Sequence, residues 1–309
     1  MPEFPEVEVV RAGLEPAVVN ARVLSVDVWD ERALTRHVGD GAGFSAALTG
    51  RVMSAVARRG KFLWLTLADD DSAGNEGVGQ AGSVAVLAHL GMSGQLLLRE
   101  PDAPRERHER IRIILDHPQR GELAVVFADQ RTFGSLAIDI LIPTPDQAPG
   151  GFGSALPAIP GQAAHIARDP LDDAFDVGPV IERIRQSNSA IKRMLLNQNL
   201  VSGIGNIYAD EALWVAGIHP ESPGNKLTPG ELHELFDQVR AVFDRALAEG
   251  GTSFDAQYLN VNGQAGYFSR SLHVYGRQGK PCDRCGTSIV RESFMNRGSH
   301  FCPRCQRQR

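Results

Sequence analysis

The chain has 309 residues, 42% of them hydrophobic, and a formal net charge of −5. That length can bury a substantial core and suits two domains plus a small appendage, while the composition excludes a disordered or fibrous chain. The start carries no basic segment leading into an apolar one, and no apolar run nears the ~18 residues of a membrane span. A cytoplasmic protein with no membrane partner is therefore expected.

Met1 is followed by Pro2, Glu3, Phe4, Pro5, Glu6, Val7 and Glu8. Removing Met1 would leave a secondary amine beside a carboxylate, which is a nucleophile with an acid next to it. An α-amino group with a pKa of about 7.7–8.0 is unprotonated at neutral pH far more often than a lysine near about 10.4. The same residues also suit an ordinary helix entry, with proline in the first turn and glutamate at the positive end.

A short helical pattern over 6–14 leads into strand-like runs at 61–67, 84–90, 111–115, 123–128 and 136–142, each rich in β-branched or apolar residues. With no helical pattern between them, an antiparallel β-sandwich is favoured over a parallel α/β sheet. Residues 69–82 are polar and glycine-rich and read as a hairpin insertion, and 143–160 carry Pro, Gly and Ala without periodicity, as a linker does.

The second half reads as helical. Residues 191–200, a glycine-rich turn at 201–205, and 206–213 form a helix, turn and helix. Gly203 and Gly205 do not complete a dinucleotide fingerprint, because Tyr208 stands where the third glycine belongs and no strand precedes them. The turn is open to two readings: a plain αα-hairpin, or a phosphate grip made of backbone N–H groups and the Asn206 amide. Thr228, Pro229 and Glu231 give a capping box for a helix over 229–247 whose apolar face is core.

All four cysteines lie in the tail, as Cys282-x2-Cys285 and Cys302-x2-Cys305 with sixteen residues between the pairs. Two such knuckles at this spacing present four thiolates to one structural Zn2+ with no coordination position left for catalysis. Residues 271–309 carry eight basic side chains against Asp283 and Glu292, so this tail is +6 and the remainder −11. Arg291, Asn296, Arg297 and His300 lie between the knuckles and suit a phosphate backbone.

The N-terminal Pro2–Glu8 stretch, Arg58-Arg59-Gly60-Lys61, His89-Leu90-Gly91-Met92-Ser93-Gly94, Asp129-Gln130-Arg131-Thr132-Phe133-Gly134, the 203–211 hairpin and the cysteine tail occur in this order. Together they closely resemble bacterial formamidopyrimidine-DNA glycosylases over nearly the whole chain, the 69–82 insertion and the linker excepted. The resemblance implies an α+β fold. An antiparallel β-sandwich with an N-terminal helix is expected over 1–142, a linker over 143–170, a helix-two-turn-helix domain over 171–270 and the zinc finger over 271–309.

It implies a base-excision repair enzyme that removes oxidised purines from duplex DNA and then cleaves the strand as a lyase. Pro2 would attack the anomeric carbon, Glu3 would act as general acid, Lys61 would donate a proton in β-elimination and Arg297 would serve δ-elimination. His89, His108, Lys192 and Asn206 match positions that hold DNA. Met92, Arg131 and Phe133 match the three residues that enter the duplex where the damaged base leaves, and 253–268 match the loop that covers that base. A monomer is expected, with damaged duplex DNA as its partner.

The chain departs from the usual pattern at Phe4, at Asn197 and in the uncharged Ser187-Asn188-Ser189. An endonuclease VIII-like glycosylase for oxidised pyrimidines is the nearest alternative, but its members usually begin Pro-Glu-Gly-Pro. A non-catalytic zinc-finger DNA-binding protein is the other, against which the joint presence of Pro2, Glu3 and Lys61 argues.

Overall fold

The computed structural model describes residues 2–68, 83–252, 260–264 and 266–308. The apolar runs of the first half become strands of one nine-stranded sheet in the order β5-β7-β6-β1-β2-β3-β4-β8-β9. The strands are β1 (Arg22–Val28), β2 (Val52–Arg59), β3 (Phe62–Ala68), β4 (Val84–His89), β5 (Gly94–Arg99), β6 (Glu109–His117), β7 (Gly121–Asp129), β8 (Ser135–Pro143) and β9 (Ala158–Pro160). Neighbours pair antiparallel throughout. Leu96 of β5, Val23 of β1, Leu63 of β3 and Leu136 of β8 belong to one core together with Val7, Val10 and Leu14. The two halves of the strand order therefore cover a common interior, as in a sandwich.

The last three of those core residues lie on helix α1 (Phe4–Val18), and a second helix, α2 (Gly41–Leu48), is capped by the Asp40 carboxylate. The five expected strands are present within two residues at each end. Strands β1, β2, β5 and β9 and helix α2 were not expected; Arg22, Ser25 and Asp27 interrupt β1, and β2 is bulged between Met53 and Ala55.

Residues 143–165 are not a free linker. They group with the first unit of the chain, Met1–His165 with Thr252–Gly266. β9 pairs with β8, and Phe152 exchanges backbone hydrogen bonds of 2.9 Å with Arg58. Gly150 and Gly151 permit this, since a Cβ at either would strike backbone oxygen, of Ala158 and Arg58 respectively. A proline- and glycine-rich stretch thus serves close packing here, not flexibility.

The second unit comprises Ile166–Gly251 and Tyr267–Arg309. It contains α3 (Val177–Arg185), α4 (Ile191–Leu195), α5 (Asn206–Ala216), α6 (Pro229–Ala248) and a hairpin of β10 (Val290–Phe294) and β11 (Arg297–Phe301). The capping box of α6 forms as expected, and Leu232, Leu235, Phe236, Val239, Val242, Phe243 and Ala246 are buried. Tyr208 packs edge-on to Phe243 at 5.4 Å and stacks on Phe268 at 5.8 Å between ring centroids. The helical domain and the finger, expected on either side of residue 270, both lie in this unit. No helix among the described residues is long and apolar enough to cross a membrane.

Gly91 tests how closely two loops of the first unit approach. Its φ is +60°, and a Cβ there would lie 2.5 Å from the backbone of Phe133 and Gly134. Gly91→Ala is expected to destabilise the first unit by about 2 kcal/mol through backbone strain and this clash. A lowered urea midpoint checks it; an unchanged midpoint would show that the loops do not touch.

Candidate active site and metal centre

The start of the chain is fixed through the carboxylates of α1. Glu6 Oε2 accepts from the Glu3 backbone N–H at 2.8 Å, and Glu6 Oε1 accepts from Thr252 N at 2.8 Å and Thr252 Oγ1 at 2.7 Å. Glu8 receives Arg58 Nε at 2.8 Å and Arg11 Nε at 2.9 Å, and the Arg58 guanidinium lies 4.0 Å from the centre of the Phe4 ring. Alternate residues 4, 6 and 8 are thereby tied to other elements, and Pro2 and Glu3 sit buried at the positive end of the helix.

Lys61 follows the turn between β2 and β3 at Gly60, whose φ is +56°. Its neighbour Phe62 pairs with His89 across β3 and β4. His89 is pushed down to about 4, first by burial and then by the charges of Arg36 and Lys61. It is thus a neutral imidazole at pH 7, with Nδ1 accepting from Gly91 N at 3.2 Å.

Asp129, fully buried, builds the second group. Its Oδ1 accepts from Ser93 Oγ at 2.5 Å and Arg131 N at 3.0 Å, and its Oδ2 accepts from Gly134 N at 2.7 Å. Asp129 N in turn donates to His108 O at 2.9 Å. Asp129 therefore gathers the loops carrying Met92, Arg131 and Phe133 through its carboxylate and the one carrying His108 through its backbone N–H. Met92 is 40% and Phe133 56% exposed. Arg131 lies 4.9 Å over the Phe133 ring, so charge and apolar ring are presented side by side.

In the second unit the four cysteine sulfurs lie within 4.8 Å of one another. Hydrogen bonds from Thr287 hold the Cys285 thiol down to about 6, while burial and the neighbouring sulfurs push Cys305 up to about 12. Four thiolates this close require a cation among them, and a closed set of four sulfurs suits zinc. Trp214 Nε1 donates to Cys282 Sγ at 3.4 Å, and Arg284 caps the end of α5 through Trp214 O and Val215 O at 2.9 and 2.8 Å. Glu211 accepts the backbone N–H groups of His273, Val274 and Tyr275, each at 2.9 Å.

The glycine turn is braced by a residue the sequence reading passed over. Gln198 Oε1 accepts from Gly203 N at 3.0 Å and its Nε2 donates to Ile204 O at 2.9 Å. Asn206, whose amide was expected to grip phosphate, donates to Gly298 O at 2.9 Å. Lys192 departs most from expectation. It was expected to hold DNA, yet its side chain is fully buried in an ion pair with Asp210, because α4 packs its inner face on α5 and the hairpin. Arg297 is exposed at the start of β11, following a tight turn in which Met295 and Asn296 take φ of 48° and 60°. Of the expected base-covering stretch 253–268, residues 253–259 and 265 lie outside the described residues, as does the whole insertion 69–82.

Residues 1–136 match the formamidopyrimidine-DNA glycosylase N-terminal domain, 166–257 the H2TH domain of the same glycosylase, and 279–308 a zinc finger found in FPG and IleRS. The four cysteines accordingly form a structural zinc site. A formamidopyrimidine-DNA glycosylase of Leifsonia xyli subsp. xyli is 58% identical over 99% of this chain and 100% of its own length. The Lactococcus lactis Fpg in complex with an abasic site containing DNA superposes with a TM-score of 0.77 at 31% identity, covering 99% of this chain and 100% of that one. MutM in complex with carbocyclic 8-oxo-G containing DNA gives a TM-score of 0.77 at 32% identity over the same shares. Domains matched in order from end to end, and a relative identical at more than half its positions, show that the chain belongs to the formamidopyrimidine-DNA glycosylase family.

Proposed function

We propose that this chain is a base-excision repair glycosylase that removes oxidised purines from duplex DNA and cleaves the resulting abasic strand through an imine at Pro2. The observation that carries this reading is the start of the chain: Pro2 and Glu3 are buried at the head of a helix whose first turns are tied down by Glu6 and Glu8. A disposable helix entry would not need this bracing.

With Met1 removed, the positive end of α1 favours the neutral Pro2 amine, which attacks C1′ of the damaged nucleotide. The C1′–N bond breaks, the base leaves with a proton for which Glu3 is the acid, and opening of the sugar ring gives the iminium. Loss of the C2′ proton then expels the 3′ phosphate, with Lys61 at the proton transfer. Arg297 assists the later departure of the 5′ phosphate. Met92, Arg131 and Phe133 enter the space left by the extruded nucleotide, where an apolar wedge offsets part of a few kcal/mol of lost stacking. Arg131 offers donors to the unpaired partner base, whose acceptor edge suits them when it is cytosine. Purine lesions are favoured over pyrimidine ones by the names of the relatives and by Phe4 at the fourth position.

Borohydride is expected to trap the protein covalently on 8-oxoguanine DNA, with Pro2 as the attached residue on peptide mapping. A form retaining residues upstream of Pro2 carries an amide there and should not trap. Trapping of that blocked form at wild-type yield would remove Pro2 from the mechanism.

His89 offers a second test, because its expected contact with DNA is that of a neutral hydrogen-bonding ring. The fall of affinity with salt counts the cations that replace counterions, a slope change of about one for each. Since His89 titrates near 4, it stays uncharged as pH falls from 7.5 to 6.0. The difference in salt slope between wild type and His89→Gln should be the same at both values. A difference that grows at pH 6.0 would show a protonated His89 on a phosphate.

A further inference from the structure

Lys192 on α4 and Asp210 on α5 form an ion pair of 2.6 Å in which neither side chain has exposed surface. A pair so deep gives up the hydration of two charges, so it is poor evidence of a device for stability alone. What it touches is specific. Asp210 accepts from His300 N at 2.9 Å and from Ser299 Oγ at 3.2 Å. Lys192 Nζ donates to Gly298 O at 3.4 Å, and Asn206 Nδ2 donates to the same oxygen at 2.9 Å. The Phe294 ring, on the facing strand, lies 5.3 Å from the Lys192 ammonium.

Gly298, Ser299 and His300 are the three residues that follow Arg297 in β11. Beyond this contact β11 has, among the described residues, only β10 as a sheet partner, and a lone two-stranded hairpin is marginal in water. The nearest zinc ligand, Cys302, holds the far end of the strand. The end carrying Arg297 is held instead by α4 and α5.

We propose that Lys192 and Asp210 are positioning residues that aim Arg297: buried charges fix the strand behind it so that the exposed guanidinium is presented in one place. The inference rests on the reading above, in which Arg297 serves departure of the 5′ phosphate. It reassigns Lys192 from a DNA contact to the inside of the hairpin's support.

The test uses the zinc-loaded full chain on duplex DNA with a preformed abasic site. Wild type is compared with Asp210→Asn and with Lys192→Met/Asp210→Asn, which leaves no buried charge unpaired. The readout is the fraction of cleaved strands ending in a phosphate, the product of both eliminations, against those ending in the unsaturated sugar left by the first alone. That fraction should fall roughly tenfold in both variants, as a misplacement of about an ångström can cause, while zinc content and borohydride trapping by Asp210→Asn stay at wild-type levels. A wild-type fraction in the double variant would overturn the inference. Loss of zinc from the double variant would also overturn it, since the pair would then hold the metal domain together and not aim Arg297. A wild type that neither traps nor cleaves fails the proposed function itself, which is a separate result.

Discussion

A carboxylate taken out of water and filled by backbone N–H and side-chain donors holds a loop at four places in this chain. Glu6 holds the backbone of Glu3 and Thr252, Asp129 holds Arg131 and Gly134, Asp210 holds His300, and Glu211 holds His273, Val274 and Tyr275. An ionised group in such a place is tolerated only when its lone pairs are filled, and a carboxylate accepts up to about four hydrogen bonds. The dependence is mutual. The loops cannot move without leaving a buried charge unsatisfied, at a cost of several kcal/mol, so each loop is confined to one shape. At Glu211 the opposing effects can be told apart, since burial pushes its carboxyl up and the N–H groups of residues 273–275 pull it down.

These posts were the part of the site least legible from the sequence. Pro2, Glu3 and the cysteines stand out because their chemistry depends on position and spacing along the chain, which a sequence displays. Glu6, Asp129 and Asp210 look like any other acid, because burial depends on packing between residues far apart. Asp210 and His300 are ninety positions apart and Glu6 and Thr252 are 246 apart. The burial of Lys192 was hidden for the same reason, since on a short helix its face toward α5 cannot be told from a face toward solvent. Asn206 was correctly placed at the start of α5, but its amide is spent on Gly298 O, and nothing local to the turn announces that.

The fold was easier to read where one face of an element is wet. Helix α6 carries the expected periodicity, and Thr228 and Glu231 mark its start unaided, whereas β7 is legible as an unbroken apolar run buried on both faces. Strand β1 is not, as Ser25 and Asp27 break its apolar run while Val23 and Val26 reach the core across a bulge between Val23 and Ser25. A bulge shifts the two-residue alternation by one, which defeats any reading based on period alone. Residues 150–151 misled in the opposite sense: two glycines suggested slack where they admit close backbone contact.

The formal charge of −5 is no obstacle to a polyanionic partner, because a phosphate responds to charge within about 8 Å at physiological salt and not to the total. In the finger the acids are already engaged or outnumbered. Asp283 is held down to about 2 by hydrogen bonds from Arg277 and His273 and so is neutralised locally. Arg291, Arg297, Arg304 and Arg307 form no ion pair among the described residues, which leaves four guanidinium groups on one small zinc-stabilised element. Keeping them unpaired raises self-repulsion in the free protein, and the four-sulfur metal site supplies the cohesion that offsets it in a segment too small for a core of its own. The bonds from α4 and α5 to β11 then settle what cohesion alone cannot: where on that element one particular arginine stands.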